Sequence, residues 1–235
     1  MTAISRPPQQ LALNVSLRDD ATFENFFTLA AVEPLLEKLR QQSSLDGEPI
    51  IYLYGAAASG KSHLLQAACH YTEESALYLP LRDLREYPPQ DVLQGVEEMN
   101  LICLDDLETV FGHERWELEL FHLLNRARDR GCRLLISATT APRASQVALA
   151  DLKSRLSWGI VYQIPLPDDR ELEAILQFRA RRRGLQLAPE VARFIVQRAP
   201  RALTSLLDVL EDIDRASLAR QRALSIPFVK EVLGW

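Results

Sequence analysis

Cysteine is scarce: the 235 residues hold three, Cys69, Cys103 and Cys132, and none stands in a CxxC or other metal-type spacing. That excludes a disulfide scaffold and a zinc-finger chain, and predicts reduced, mostly buried thiols in a cytosolic protein. Long apolar runs are missing too. None approaches the ~18 residues of a membrane span, so no membrane partner is expected. The opening MTAISRPPQQLAL lacks the basic start and long apolar core of a secretory signal. There is no surplus of positive charge. Lys and Arg number 27 against 32 Asp and Glu, a net charge of −5, which excludes a generic basic nucleic-acid binder and leaves only a local basic patch. Internal repeats and low-complexity tracts are absent. What remains is ordinary globular material, 47% hydrophobic and 25% charged, enough for one large or two small domains.

The residues 29–42, LAAVEPLLEKLRQQ, carry Val32, Leu35, Leu36 and Leu39 at helical spacing. Short apolar runs then alternate with helical segments. Strands are expected at 50–54 (IIYLY), 76–81 (ALYLPL), 101–106 (LICLDD), 132–139 (CRLLISAT) and 159–166 (GIVYQIPL). Runs that are apolar throughout suit strands buried on both faces, and their alternation with helices implies a parallel sheet. After about residue 168 only helical patterns appear, with Pro189 and Pro200 near helix starts. The organisation expected is a flexible tail over 1–20, an α/β domain over 21–167 and a small all-helical domain over 168–235.

The segment GAAASGKS matches G-x-x-x-x-G-K-[ST] at Gly55, Gly60, Lys61 and Ser62, with Ala56, Ala57, Ala58 and Ser59 between them. Successive inward N–H groups make an anion nest, and the following helix aims its positive end at the phosphates. Lys61 supplies a charge for the β- and γ-phosphates and Ser62 a hydroxyl for Mg²⁺. A chance Gly-rich turn would lack the strand before, the helix after and the carboxylate strand downstream. His63 follows the loop and is expected among its nucleotide-binding residues, with a side chain that packs on the helix rather than acting in catalysis. In LICLDD the acids fall at the C-terminal strand edge, where open α/β sheets bind ligands. Asp105 is the candidate for holding Mg²⁺ through water. Asp106 is the candidate for orienting an attacking water, with one methylene less reach than glutamate. Ser137 or Thr139, at the end of the fourth strand, would sense the γ-phosphate. Arg155, in DLKSRLSWG, offers a fork of donors suited to phosphate oxygens. The basic run FRARRRG (178–184) reads as a solvated helix end rather than a DNA contact, and Leu206, Leu207, Leu210 and Ile213 as helical core.

In this order, GAAASGKSHL, LICLDDLE, LLISATTAP and LKSRLSWG with helices after them resemble the DnaA/Hda family of AAA+ ATPases, and ATFENFF (21–27) resembles the phenylalanine-rich segment opening the DnaA module. The resemblance spans roughly residues 21–235. It implies an AAA+ P-loop NTPase domain with a five-stranded parallel sheet and a helical lid, holding ADP or ATP with Mg²⁺. Initiators of the family continue into a DNA-binding helix-turn-helix, for which IPFVKEVLGW leaves no room, so a regulator is expected.

On that footing QLALNV resembles a sliding-clamp-binding peptide, with Gln10 as polar anchor and Leu11, Leu13 and Val15 as apolar plugs. The resemblance also implies that Arg155 is an arginine finger acting in trans on ATP bound to DnaA, and so a negative regulator of replication initiation that works on the DNA-loaded clamp. A homo-oligomer is compatible with it. The lid arginine that contacts phosphate in the DnaA group aligns with Thr204, with Arg201 one turn earlier as the substitute. That departure, and Asp106 in place of glutamate, imply weak intrinsic hydrolysis. Two other readings compete: an ATP-driven helicase- or clamp-loader, which would turn over its own ATP and assemble into rings, and a small-molecule P-loop kinase, against which the helical C-terminal part speaks.

Overall fold

The computed structural model describes residues 17–42, 47–72 and 75–235. Gln10, Leu11, Leu13 and Val15 lie outside them. Two compact units are present. One is built on Pro34–Gly55 and Lys61–Gln163, the other on Glu24–Glu33, Ala56–Gly60 and Ile164–Trp235.

The first unit is a parallel five-stranded sheet with helices. Its strands are β1 (Ile50–Tyr54), β2 (Ala76–Pro80), β3 (Leu101–Asp105), β4 (Arg133–Ala138) and β5 (Ile160–Gln163), in the order β2-β3-β4-β1-β5. The expected parallel sheet is thus present, and the fifth strand ends at Gln163 rather than 166. β3 is buried along its whole length, as its unbroken apolar run demands. Ile50 pairs with Leu134 and Ile51 with Ile160, so β1 sits between β4 and β5. The connection after β1 runs to the far edge at β2, while the one after β4 crosses β1 to reach β5. The chain therefore reverses direction at β1 and β4, and crevices for ligands open beyond the carboxyl ends of strands at such points.

Helices pack on this sheet: α1 (Glu33–Gln42), α2 (Lys61–Thr72), the short α3 (Leu81–Leu84) and α4 (Pro89–Leu93), α5 (Glu114–Arg130) and α6 (Ala150–Arg155). α1 buries Leu35, Leu36 and Leu39, as its spacing predicts. α5 buries Trp116, Leu120, Leu123, Leu124 and Ala127 and stops at Gly131, whose φ of 72° is a left-handed cap that only glycine takes without strain. Cys69, Cys103 and Cys132 are free and buried. Gly159 enters β5 so close to β1 that a Cβ there would stand 2.0 Å from the Ile50 carbonyl oxygen.

Glu117, also on the buried side of α5, is 1% exposed. Its carboxylate accepts backbone N–H bonds from Gly112 (2.8 Å), Ala148 (3.0 Å) and Leu149 (2.7 Å). Leu149 is the residue that opens α6. A buried acceptor with three donors tolerates no amide in its place, since one side of the amide is itself a donor. Glu117→Gln is expected to cost about 2–3 kcal/mol, and to lower the apparent Tm by about 4–12 °C in a thermal melt.

The second unit contains α7 (Asp169–Arg182), α8 (Pro189–Arg198), α9 (Leu203–Arg220) and α10 (Ile226–Leu233). α7 starts with a capping box between Asp168 and Glu171. Pro189 takes the first position of α8, where its missing N–H leaves no bond unmade. Leu172, Leu176, Val191, Ile195, Leu206, Leu210 and Ile213 form the core. The basic run on α7 is partly structural. Arg179 is buried and donates to the Asn25 carbonyl (3.1 Å), Arg182 donates to the Asn25 side chain (2.8 Å), and Phe178 packs edge-on against Phe27. Among the described residues no helix is long and apolar enough to cross a membrane.

Candidate functional site

The loop between β1 and α2 takes the backbone shape that its sequence calls for. Ala58 (φ 61°) and Gly60 (φ 94°) are both left-handed, which turns successive N–H groups toward one side. A Cβ on Gly60 would touch Phe26 at 3.0 Å, so this position is also closed by packing. Gly55 and Ser59 are buried, Ala56 and Ala57 exposed. α2 begins at Lys61, so its first N–H groups lie in the loop. Ser62 is half-buried at the second position of that helix. His63 points elsewhere: its Nε2 lies 2.8 Å from the Thr22 carbonyl oxygen, an anchor rather than a phosphate ligand.

Lys61 is 5% exposed and its Nζ donates to the Gly55 carbonyl at 2.8 Å. Burial pulls its pKa down, and three carboxylates, Glu108 foremost, then Asp106 and Asp105, pull it back up. Such an ammonium lies folded over the loop with more negative charge near it than one pairing would use.

Asp105 closes β3 and is 3% exposed. Tyr78 Oη donates to its Oδ2 at 2.6 Å, and the Ser137 hydroxyl donates to its Oδ1. Ser137 Oγ also accepts the Asp106 N–H at 3.0 Å. Burial and the Asp105 charge raise the Tyr78 pKa, so the tyrosine stays a donor. The carboxylate is therefore fixed in orientation by two hydroxyls, and Ser137 serves it rather than standing free as a sensor. Thr139, one of the two sensor candidates, lies exposed just past β4.

Asp106 departs from the expected geometry. Its backbone is left-handed (φ 55°) and its carboxylate pairs with Arg82 Nε at 2.8 Å. The left-handed kink starts a 3-10 turn, Leu107–Val110, that brings a residue the sequence reading passed over, Glu108. Glu108 is half-buried and its Oε2 is buried without a hydrogen-bond partner among the described residues. Desolvation raises its pKa, against the pull of its own backbone N–H, the Lys61 charge and the Thr139 N–H. Glu108 thus joins Asp106 and Asp105 in acting on the loop lysine. Its only sequence signal is an acid three residues after the strand-ending Asp105.

In the second unit a cavity of about 620 Å³ is lined by Ala57, Ala58, Leu166, Asp169, Arg201 and Leu203, among others. That volume suits a nucleotide-sized ligand. Arg201 reaches this cavity with its guanidinium on Asp169. Thr204, in the first turn of α9, is exposed.

Arg155 ends α6. Its guanidinium lies over the Phe121 ring at 4.1 Å and over the Trp158 ring at 5.0 Å. Each such contact contributes about 0.5–1 kcal/mol near a surface. The side chain is half-buried, and its Nη1 is buried with no hydrogen-bond partner among the described residues.

A glycine-rich strand-to-helix loop, an acid-ended β3, the order β2-β3-β4-β1-β5 and a following helical unit define a protein of the AAA+ class. Comparison with known proteins narrows the class. Residues 80–163 match the family described as the bacterial DnaA ATPase domain, and residues 168–233 the one described as the Hda lid domain. An uncharacterized protein of Haemophilus influenzae is 42% identical over 229 residues, covering 96% of this chain and 98% of that one. Domain III of the Thermotoga maritima replication initiation protein DnaA superposes with a TM-score of 0.79 at 21% identity, over 94% of this chain and 98% of that one. AMPPCP-bound DnaA from Aquifex aeolicus gives 0.72 at 22% identity, over 84% and 66%. The chain belongs to the Hda/DnaA family of AAA+ proteins.

Proposed function

We propose that this chain is a nucleotide-held negative regulator of replication initiation, which docks on the sliding clamp and presents Arg155 to ATP bound by DnaA. The observation that carries the reading is the pairing of an Hda-type lid with a DnaA-type ATPase region in one chain that keeps a complete phosphate loop. An adenine nucleotide fits the residues present. The left-handed Ala58 and Gly60, the first N–H groups of α2 and Lys61 would hold its phosphates. Ser62 and the doubly anchored Asp105 would hold Mg²⁺, which supplies charge neutralisation at the phosphates when bound. The AMPPCP carried by the Aquifex aeolicus DnaA structure supports this choice of base. Asp106, drawn aside by Arg82, is poorly placed to orient water, which supports weak intrinsic hydrolysis and a nucleotide kept for shape. A diphosphate suffices for that role, so ADP binds at least as well as ATP.

The clamp assignment rests on sequence: Gln10, Leu11, Leu13 and Val15 offer one amide and three apolar side chains in a short peptide. The half-buried Arg155 guanidinium rests on two aromatic rings and, among the described residues, pairs with no carboxylate, which supports the finger assignment because its accessible N–H groups are left for a phosphate oxygen. The test is to add the protein, loaded with ADP, to DNA-loaded clamp and ATP-charged DnaA and to follow phosphate release. Release from DnaA is expected to rise by about 10³-fold at saturation. With alanine at Gln10, Leu11 and Leu13 together, the rise is expected to vanish while the fold and ADP binding persist. Rapid turnover of the chain's own ATP without DnaA would favour the loader reading instead.

A further inference from the structure

The immediate surroundings of Arg155 carry more than the finger itself. Trp158 stands three residues beyond it, is 51% exposed, and has two guanidinium groups over its ring: Arg155 at 5.0 Å and Arg128 at 5.2 Å. What marks this ring is that both cations lie against it. Phe121 of α5, half-buried against the core of the sheet, supplies the second ring at 4.1 Å. Trp158 itself is fixed by the chain: its N–H donates to the Arg155 carbonyl at 3.0 Å, and the next residue is Gly159, pressed on the Ile50 carbonyl. The backbone that carries the ring is thus held between the end of α6 and the start of β5.

An arginine on a bare surface samples many rotamers, and that freedom must be lost whenever it meets a phosphate. Aromatic rings restrict it beforehand while leaving guanidinium N–H groups without a carboxylate partner. Among the described residues no carboxylate pairs with Arg155, and its Nη1 is closed off from solvent, so an incoming oxygen would meet the other N–H groups. We infer that Trp158 is a positioning residue: with Phe121 it holds the Arg155 guanidinium pre-arranged for an anionic oxygen delivered by a partner. This rests on the reading of Arg155 as acting in trans. Arg128 shares the Trp158 ring and pairs with Asp129 at 3.7 Å.

The test compares Trp158→Phe, Trp158→Leu and Trp158→Ala in the clamp–DnaA hydrolysis assay, reading the maximal stimulated rate apart from the concentration giving half of it. Leucine keeps apolar cover and removes the π-face; phenylalanine keeps the face. The Leu and Ala variants are expected to lower the maximal rate about tenfold. The half-maximal concentration is expected to move less than about twofold and Phe to restore the rate to within about threefold. Leucine matching phenylalanine would overturn the inference, as would a shift confined to the half-maximal concentration, which marks a docking contact. If the Ala variant melts early, the Leu and Phe pair, checked by thermal melt and ADP binding, still decides. Arg155→Ala, run alongside, separates the two levels. Stimulation surviving it ends the trans reading itself. Stimulation lost there but unchanged across the Trp158 series ends only the positioning role.

Discussion

Arg155→Ala is expected to abolish stimulation of DnaA-bound ATP hydrolysis, a loss of about 10³-fold or more, because an arginine supplied in trans carries 10³–10⁵ of the rate in phosphoryl transfer. The same variant is expected to bind ADP and the clamp as the wild type does. The guanidinium makes its contacts with Phe121 and Trp158, and its nitrogen Nη1 has no partner to lose. Stability should therefore change by no more than about 1–2 kcal/mol. Arg155→Lys sharpens the point. It keeps the charge but presents three rotating donors in place of a planar fork, so it should recover only a small part of the rate. Single-turnover hydrolysis of labelled ATP preloaded on DnaA is the measurement. A variant that still stimulates fully would remove Arg155 from the chemistry and leave the rings around it as packing.

Lys61→Ala carries the second large effect, at the opposite level. Lys61 is buried, and its pKa is drawn down by that burial while Glu108, Asp106 and Asp105 hold it charged. Removing it leaves those three acids facing an incoming polyphosphate with nothing to offset them. Truncating one member of a buried charge pair costs about 2–5 kcal/mol, so ADP affinity is expected to fall by about 10²–10³-fold by calorimetry. The Gly55 carbonyl also loses its Nζ donor. If the nucleotide sets the shape of the protein, this variant should also fail to stimulate DnaA although Arg155 is untouched. Undiminished ADP binding would move the phosphates away from this loop.

How much of this was legible in the residues follows from which forces act locally. The strands were, because runs such as Leu101–Leu104 are apolar throughout and only a strand covered on both faces uses them. The end of α5 at Gly131 was, because a left-handed cap needs that residue type. The sheet order was not, since nothing in a strand names its neighbour. The roles of the two adjacent acids also could not be read. They depend on a positive φ at Asp106, an ordinary-looking aspartate, which swings its own carboxylate toward Arg82 and brings Glu108 into range of Lys61. Ser137 looked like a sensor at a strand end and is instead half of the clasp on Asp105. Glu117 gave no signal, because an acid on an amphipathic helix reads as solvated until three backbone donors are found converging on it. Trp158 and Phe121 read as ordinary apolar residues, and only their distance to Arg155 gives them meaning.

The position of β1 between β4 and β5 has a consequence for the newborn protein. Both partners of the strand that carries the phosphate loop are encoded some eighty to one hundred and ten residues later, as the pairs Ile50 with Leu134 and Ile51 with Ile160 show. Translation delivers residues one after another, and distant pairings close late. A ribosome-bound fragment lacking the last two strands has the loop's sequence but no walls to hold its curve. The pairings that flank the loop on both sides therefore close only after β5, and with it Arg155, has emerged. A half-made chain has neither the handle nor the hand.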